Sequence, residues 1–145
     1  MACVLDVAKY ILQEIGETTT MKLQKLVYYC QAWSLAWDDV PLFAEEFEAW
    51  AHGPVCPVLF ERHKGKFLVD ASLFSDLPSF AFTKEQKETM QTVLEYYAPK
   101  EPHWLSELTH KEAPWKNARA GIAAGEPSHA VITKESMQQY YGGLQ

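Results

Sequence analysis

Apolar residues recur at Val4, Leu5, Ala8, Ile11, Leu12 and Ile15, one face per helical turn, and Gly16 stands where a helix stop belongs. This spacing predicts an amphipathic helix over residues 2–15. After the run ETTT, Thr20 is a suitable N-cap for a second helix from Met21 to Trp37. On a helical wheel Gln24, Tyr28, Gln31 and Asp38 share one narrow polar stripe. Nearly everything else on that helix is apolar, which marks a central helix packed on most sides. DDVPLF is a turn in which Pro41 closes the helix. In EEFEAWAH the period changes to two. Phe47, Ala49 and Ala51 fall on one side and Glu46, Glu48, Trp50 and His52 on the other, as in a short strand or extended arm. Gly53-Pro54 breaks that pattern, and Pro54 suits the first position of a helix reaching His63.

The second half alternates short helices with turns. KGKFLVDASLF reads as a short strand after a turn at Lys64-Gly65, and a loop follows from Ser75 to Ser79. Thr83 with Gln86 three residues later forms a capping box for a helix reaching Ala98, whose inner face is Val93, Leu94 and Tyr97. Pro99 and Pro102 separate it from a helix over His103–His110. The stretch EAPWKNARAGIAAGEP is irregular, with at most a helical turn around Trp115–Ala120. HAVITKESMQQYYGG reads as an extended segment and a helix capped at Thr133 and stopped by Gly142-Gly143. The expectation is a mainly α fold: a single helical domain over residues 1–145, with five or six helices and a small β-hairpin or extended arm.

Composition is that of a globular protein: 145 residues, 48% hydrophobic, 22% charged and 13% aromatic. The aromatic share leaves surface aromatics available for binding. No signal-type apolar core opens the chain, and no window has eighteen apolar residues without charge, so no membrane span is expected. Cys3, Cys30 and Cys56 are odd in number and widely spaced, which fits reduced thiols in the cytoplasm. Net charge is -6, and from Leu26 through Glu61 there is no Lys or Arg, while Asp38, Asp39, Glu45, Glu46, Glu48 and Glu61 fall there. That surface repels a polyanion, so a nucleic-acid partner is disfavoured. Lys22 with Lys25, and Arg62 with Lys64 and Lys66, are too few to counter it.

The candidate chemistry is thin. His52 and Cys56 are close enough in sequence for a thiolate–imidazole pair, the one arrangement that suggests an enzyme. Cys56 sits between Val55 and Pro57, however, and no Asn or Asp is placed to orient the imidazole, so a packed thiol is the stronger reading. His63, His103 and His110 are too scattered for a metal set, and Glu46 and Glu48 lack an opposing acid. Gly53-Pro54 before a helix is weak as an anion site. No phosphate loop or catalytic motif is present, and no metal or cofactor is expected. Trp33 and Trp37, one turn apart, are expected to fill the core. Trp50, among acids, is the candidate anchor for a partner, and Trp115 after a proline is placed to pin a loop.

Two stretches make the chain recognisable. KLQKLVYY over Lys22–Tyr29 (Lys22, Leu23, Gln24, Lys25, Leu26, Tyr28, Tyr29) is followed by AWAHGPV over Ala49–Val55, with EAPW (ending Pro114, Trp115) and VITKESMQQYY later. In these the sequence resembles the Panacea domain family, also described as SocA-like antitoxins and as phage-associated proteins. The resemblance implies a bacterial or prophage antitoxin, with a place in phage defence, that neutralises a cognate toxin protein by direct binding. It also implies an alternative, an adaptor delivering the toxin to the ClpXP protease. Some members carry a DNA-binding domain, for which this chain has no room. A homo-oligomer stays open. The family provides no catalytic residues, and the Lys22–Tyr29 segment, Val55, Pro114 and Trp115 are expected to be mainly structural. Partner contacts are expected on the acidic arm: Glu45, Glu46, Glu48, Trp50, His52, Gly53 and Pro54.

Overall fold

The amphipathic first segment forms helix α1, Val4–Ile15, with Val4, Val7, Ala8, Ile11 and Leu12 buried. The protein is described by a computed structural model covering residues 1–144. The free N–H groups at the start of α1 go to acids: Cys3 N–H to Asp6 at 2.9 Å and Val4 N–H to Glu45 at 3.1 Å. A two-residue strand β1 (Thr18–Thr19) leads into helix α2 (Thr20–Asp38), so the helix begins one residue earlier than the sequence suggests. Its cap is Thr19 rather than Thr20, since the Thr19 hydroxyl accepts from Lys22 N–H at 3.1 Å.

Helix α2 is the axis of the domain. It packs against α1 and, further along the chain, against α4 (Lys84–Tyr97), α5 (Pro102–Lys111) and α7 (Lys134–Gly142). Most of the polar stripe on α2 faces the interior. The Gln31 amide donates to Phe43 C=O at 2.8 Å and accepts from Leu42 N–H at 2.7 Å, which holds the turn after the helix. Asp38, at the exposed end of the helix, accepts from the Thr89 hydroxyl on α4.

The extended arm is a real sheet. Strand β2 (Phe47–Trp50) pairs antiparallel with β3 (Gly53–Val55) on one side and with β5 (Val131–Ile132) on the other. Trp50 faces Gly53 across the hairpin, so Ala51 and His52 form its tip. Phe47 and Ala49 are buried, as the alternation requires. The expectation of a helix starting at Pro54 is corrected here. Gly53–Val55 is a strand, because its backbone is hydrogen-bonded to β2 and to α2 side chains. The helix α3 (Pro57–His63) begins at the next proline. Strand β4 (Leu68–Val69) pairs with β1, a partnership invisible in the sequence pattern, and a short 3-10 turn at Ala71–Phe74 follows.

The caps at Thr83 and Thr133 are as the sequence indicates; Thr83 and Gln86 exchange both capping bonds. The EAPW stretch is more regular than expected: Ala113–Ala118 forms helix α6, with Pro114 buried in its first turn. The fold is a mainly α single domain, with seven α-helices and two small antiparallel sheets among the described residues. No described helix is long and apolar enough to cross a membrane.

Candidate functional site

The two recognisable stretches meet in space at the hairpin. Gln24 on α2 clamps the backbone of Cys56: its oxygen accepts from Cys56 N–H at 2.9 Å and its amide donates to Cys56 C=O at 3.3 Å. The same amide lies 3.0 Å from His63 Nε2, on the last turn of α3. Lys25, only 2% exposed, donates to Pro54 C=O at 3.1 Å. Lys25 therefore belongs to no surface basic patch. Burial without a carboxylate lowers its ammonium pKa to about 7. Gly53 has φ +121°, and a Cβ there would meet Lys25 Cε at 2.6 Å and Thr109 Oγ1 at 2.9 Å. Glycine is thus required twice, by the backbone and by the lysine beneath it. Leu23 and Leu26 fill the core beside the clamp, and Lys22 is half-buried at the first turn of α2.

From the other side the hairpin is held by α5 and α6. The Ser106 hydroxyl donates to His52 C=O at 2.5 Å, and Trp115 Nε1 donates to Trp50 C=O at 2.8 Å. Trp115 does pin this loop, and it stacks on His110 at 4.1 Å. Arg119, buried and bonded to no carboxylate among the described residues, donates to the carbonyls of Ala49, Ala123 and Glu126. It thereby fastens the loop after α6 against β2.

Around the hairpin tip the expected contact residues take distinct places. Glu45 is turned inward to the start of α1. Glu46 is exposed and lies 3.5 Å from the Lys134 ammonium. Glu48 accepts from Trp50 Nε1 at 2.9 Å and lies 3.0 Å from His129 Nδ1. Trp50 is half-buried against Phe60 and His129. Together with His52, Val55 and His129 it lines a hollow of about 340 Å³ with almost wholly apolar walls. Pro54 and Gly53 are buried beneath. The hairpin thus presents a hollow lined by Trp50, His52 and His129, with Glu48 bonded to two of these side chains and Glu46, just before the strand, beside Lys134.

His52 and Cys56 are not brought together as a nucleophilic pair. His52 is exposed at the tip, Cys56 is fully buried, and burial pushes the Cys56 thiol pKa up rather than down. Among the described residues no cluster of His, Cys, Asp or Glu is arranged to hold a metal ion.

A family model described as "Antitoxin SocA-like, Panacea domain" matches residues 23–116, which include Leu23–Tyr29 of the first stretch, the whole of the second, and Gln24, Lys25, Ser106 and Trp115 of the hairpin clamp. The chain belongs to the SocA-like Panacea antitoxin family. Comparison with curated proteins and with solved structures returned no match. In this Panacea chain the motif residues on α2 serve to seat the hairpin: Gln24 and Lys25 reach it, while Tyr28 and Tyr29 point into the opposite network described next.

The residue that sequence reasoning missed is Glu112. It stands between α5 and α6, only 6% exposed, and its Oε1 accepts from the Tyr29 hydroxyl at 2.7 Å and from the Tyr141 hydroxyl at 2.8 Å. The Tyr28 and Tyr141 hydroxyls are 3.1 Å apart, which links α2, α7 and the α5–α6 junction through four side chains. Burial raises the Glu112 pKa against the lowering effect of the two phenols, and burial likewise raises those of Tyr28, Tyr29 and Tyr141. The available signal was an acid directly before Ala-Pro-Trp, at the joint of two helical patterns.

Trp33 and Trp37 are also corrected. Trp33 packs against the core without being enclosed by it, and Trp37 lies outside it. Trp33 is half-buried, Trp37 is 41% exposed, and the two rings lie 4.8 Å apart along an open cleft between α2 and α4. The aromatic surplus of α2 exceeds what its neighbours cover at that end.

Proposed function

We propose that this chain is an antitoxin that neutralises a cognate toxin protein by direct binding in the cytoplasm, without catalysis. Membership of the SocA-like antitoxin family carries the reading, and the lack of an accessible nucleophile–base pair among the motif residues is consistent with it. The contact face proposed is the hairpin: Trp50 as a half-buried aromatic anchor beside a hollow, with Glu46, Glu48, His52 and His129 around it. Acids on that face favour a basic partner surface and speed its approach, an effect that salt weakens.

The test is a growth assay with the product of the adjacent open reading frame, expressed alone and with this chain. Toxicity relieved by co-expression, with a complex recovered by affinity purification, is the expected result. Glu46→Lys combined with Trp50→Ala, shown folded by circular dichroism, should lose rescue. Full rescue by that variant would remove the hairpin face from the reading. Rescue that disappears in a host lacking ClpXP would replace steric neutralisation by delivery to the protease.

A further inference from the structure

The cleft between α2 and α4, about 450 Å³ and almost wholly apolar in its lining, has aromatic walls and one acid. Trp33 and Trp37 come from α2, and Tyr96 and Tyr97 from α4. Trp33 Nε1 donates to the Tyr97 hydroxyl at 3.0 Å, which fixes the two walls relative to each other. Glu112 is the one charged side chain among the described residues that line it.

The carboxylate of Glu112 is half satisfied. Both of its phenolic donors reach Oε1, and Oε2 receives no hydrogen bond among the described residues. An ionised carboxylate has about four acceptor positions. Among the described residues the one enclosed side-chain polar atom without a partner is His110 Nε2, so Glu112 Oε2 is not sealed in the core and is open on the side of the cleft that its side chain lines. Four aromatic side chains line the same cleft as this carboxylate, a setting that favours a cation and disfavours an anion. A free small cation would leave the rim bare. Beside the cleft Trp37, Tyr96 and Trp104 are 41%, 57% and 40% exposed, an aromatic patch of the kind that marks contact with another chain. Lys100, which does not line the cleft, lies over Tyr96 and Trp104 at 5.2 and 4.8 Å, so these rings already receive a cation of their own chain.

We infer that this cleft binds an arginine or lysine side chain presented by another polypeptide, its charged head at Glu112 and its stem between Trp33, Trp37 and Tyr96. The chain's net charge of -6 matches such a partner. The inference does not rest on the antitoxin reading, because a peptide tests it directly.

The probe is the tripeptide acetyl-Leu-Arg-Leu-amide, with the uncharged citrulline peptide of the same shape as its control. Both are titrated into the ¹⁵N-labelled chain while the indole N–H signals of Trp33 and Trp37 are followed. The arginine peptide should shift them saturably and bind at least about tenfold more tightly than the citrulline peptide. Glu112→Gln, which keeps an amide oxygen for both phenols, should abolish that difference. Tyr96→Ala, on the exposed rim, should weaken the arginine peptide about threefold and leave distant signals in place. Equal binding of the two peptides, indifference to Glu112→Gln, or no shift up to the solubility limit would each overturn the inference.

Discussion

Replacing Gly53 by alanine tests whether the hairpin is seated by Lys25. Gly53 has φ +121°, in a region L residues rarely enter, and its missing Cβ leaves the space taken by Lys25 Cε at 2.6 Å. The backbone strain alone is worth about 1–3 kcal/mol. Lys25 must also withdraw from Pro54 C=O, and losing a hydrogen bond from a buried lysine amine costs about 1.5–3 kcal/mol. Gly53→Ala is therefore expected to cost about 3–5 kcal/mol, a large part of the ~5–15 kcal/mol typical of a domain. Gly65 is the control: its φ is +84°, nothing lies within 4 Å of its virtual Cβ, and alanine there should cost about 1–2 kcal/mol. Urea unfolding followed by circular dichroism measures both, with an unchanged m-value as the check on two-state behaviour. The two substitutions should differ by about 2–3 kcal/mol. In a Lys25→Ala background the extra cost at Gly53 should shrink, because the closest colliding atom is gone and Thr109 Oγ1 at 2.9 Å is left. Equal costs at the two glycines, or strict additivity with Lys25→Ala, would refute the argument.

Lys25 also predicts a pH dependence. Its folded pKa of about 7 lies below the ordinary 10.5, so between those values the unfolded chain holds a proton that the folded chain lacks. Stability should rise with pH across that window, by about 2 kcal/mol between pH 7 and pH 9, and the rise should be absent in Lys25→Met. Iodoacetamide at neutral pH should leave Cys30 and Cys56 unlabelled in the native chain, since both are fully buried with raised thiol pKa values. Stoichiometric labelling of Cys56, read by mass spectrometry, would revive the enzyme reading. Tyr29→Phe removes one of the two donors to Glu112 and should cost about 1–3 kcal/mol in the same urea assay.

Helices with an amphipathic period and a capping residue were legible without coordinates. Val4 to Ile15 faces inward as its spacing requires, and Thr83 and Thr133 cap because their hydroxyls bond within three residues. The alternation of Phe47, Glu48, Ala49 and Trp50 gave a strand for the same reason: neighbouring side chains on extended backbone face opposite ways whatever lies beyond them. The start of α3 was misplaced because Pro54 and Pro57 are equally good first residues locally. The choice was made by Gln24 and Lys25, about thirty positions upstream, which hold Pro54 and Cys56 in extended form.

Sequence by itself thus determined the helical class, the caps at Thr83 and Thr133, the family and the absence of a strong catalytic motif, all of which depend on residue type and short spacing. Tertiary structure decided what the polar and aromatic residues are for. Gln24, Lys25, Gln31 and Glu112 look like surface residues in a string of letters and are buried, because each meets a donor or acceptor brought from a distant segment. Trp33 and Trp37 look like core and line a cleft, because burial depends on which helices come to cover α2, and α4 and α5 leave that end open. Local periodicity shows which face a side chain takes; only the packed neighbours determine whether that face is covered.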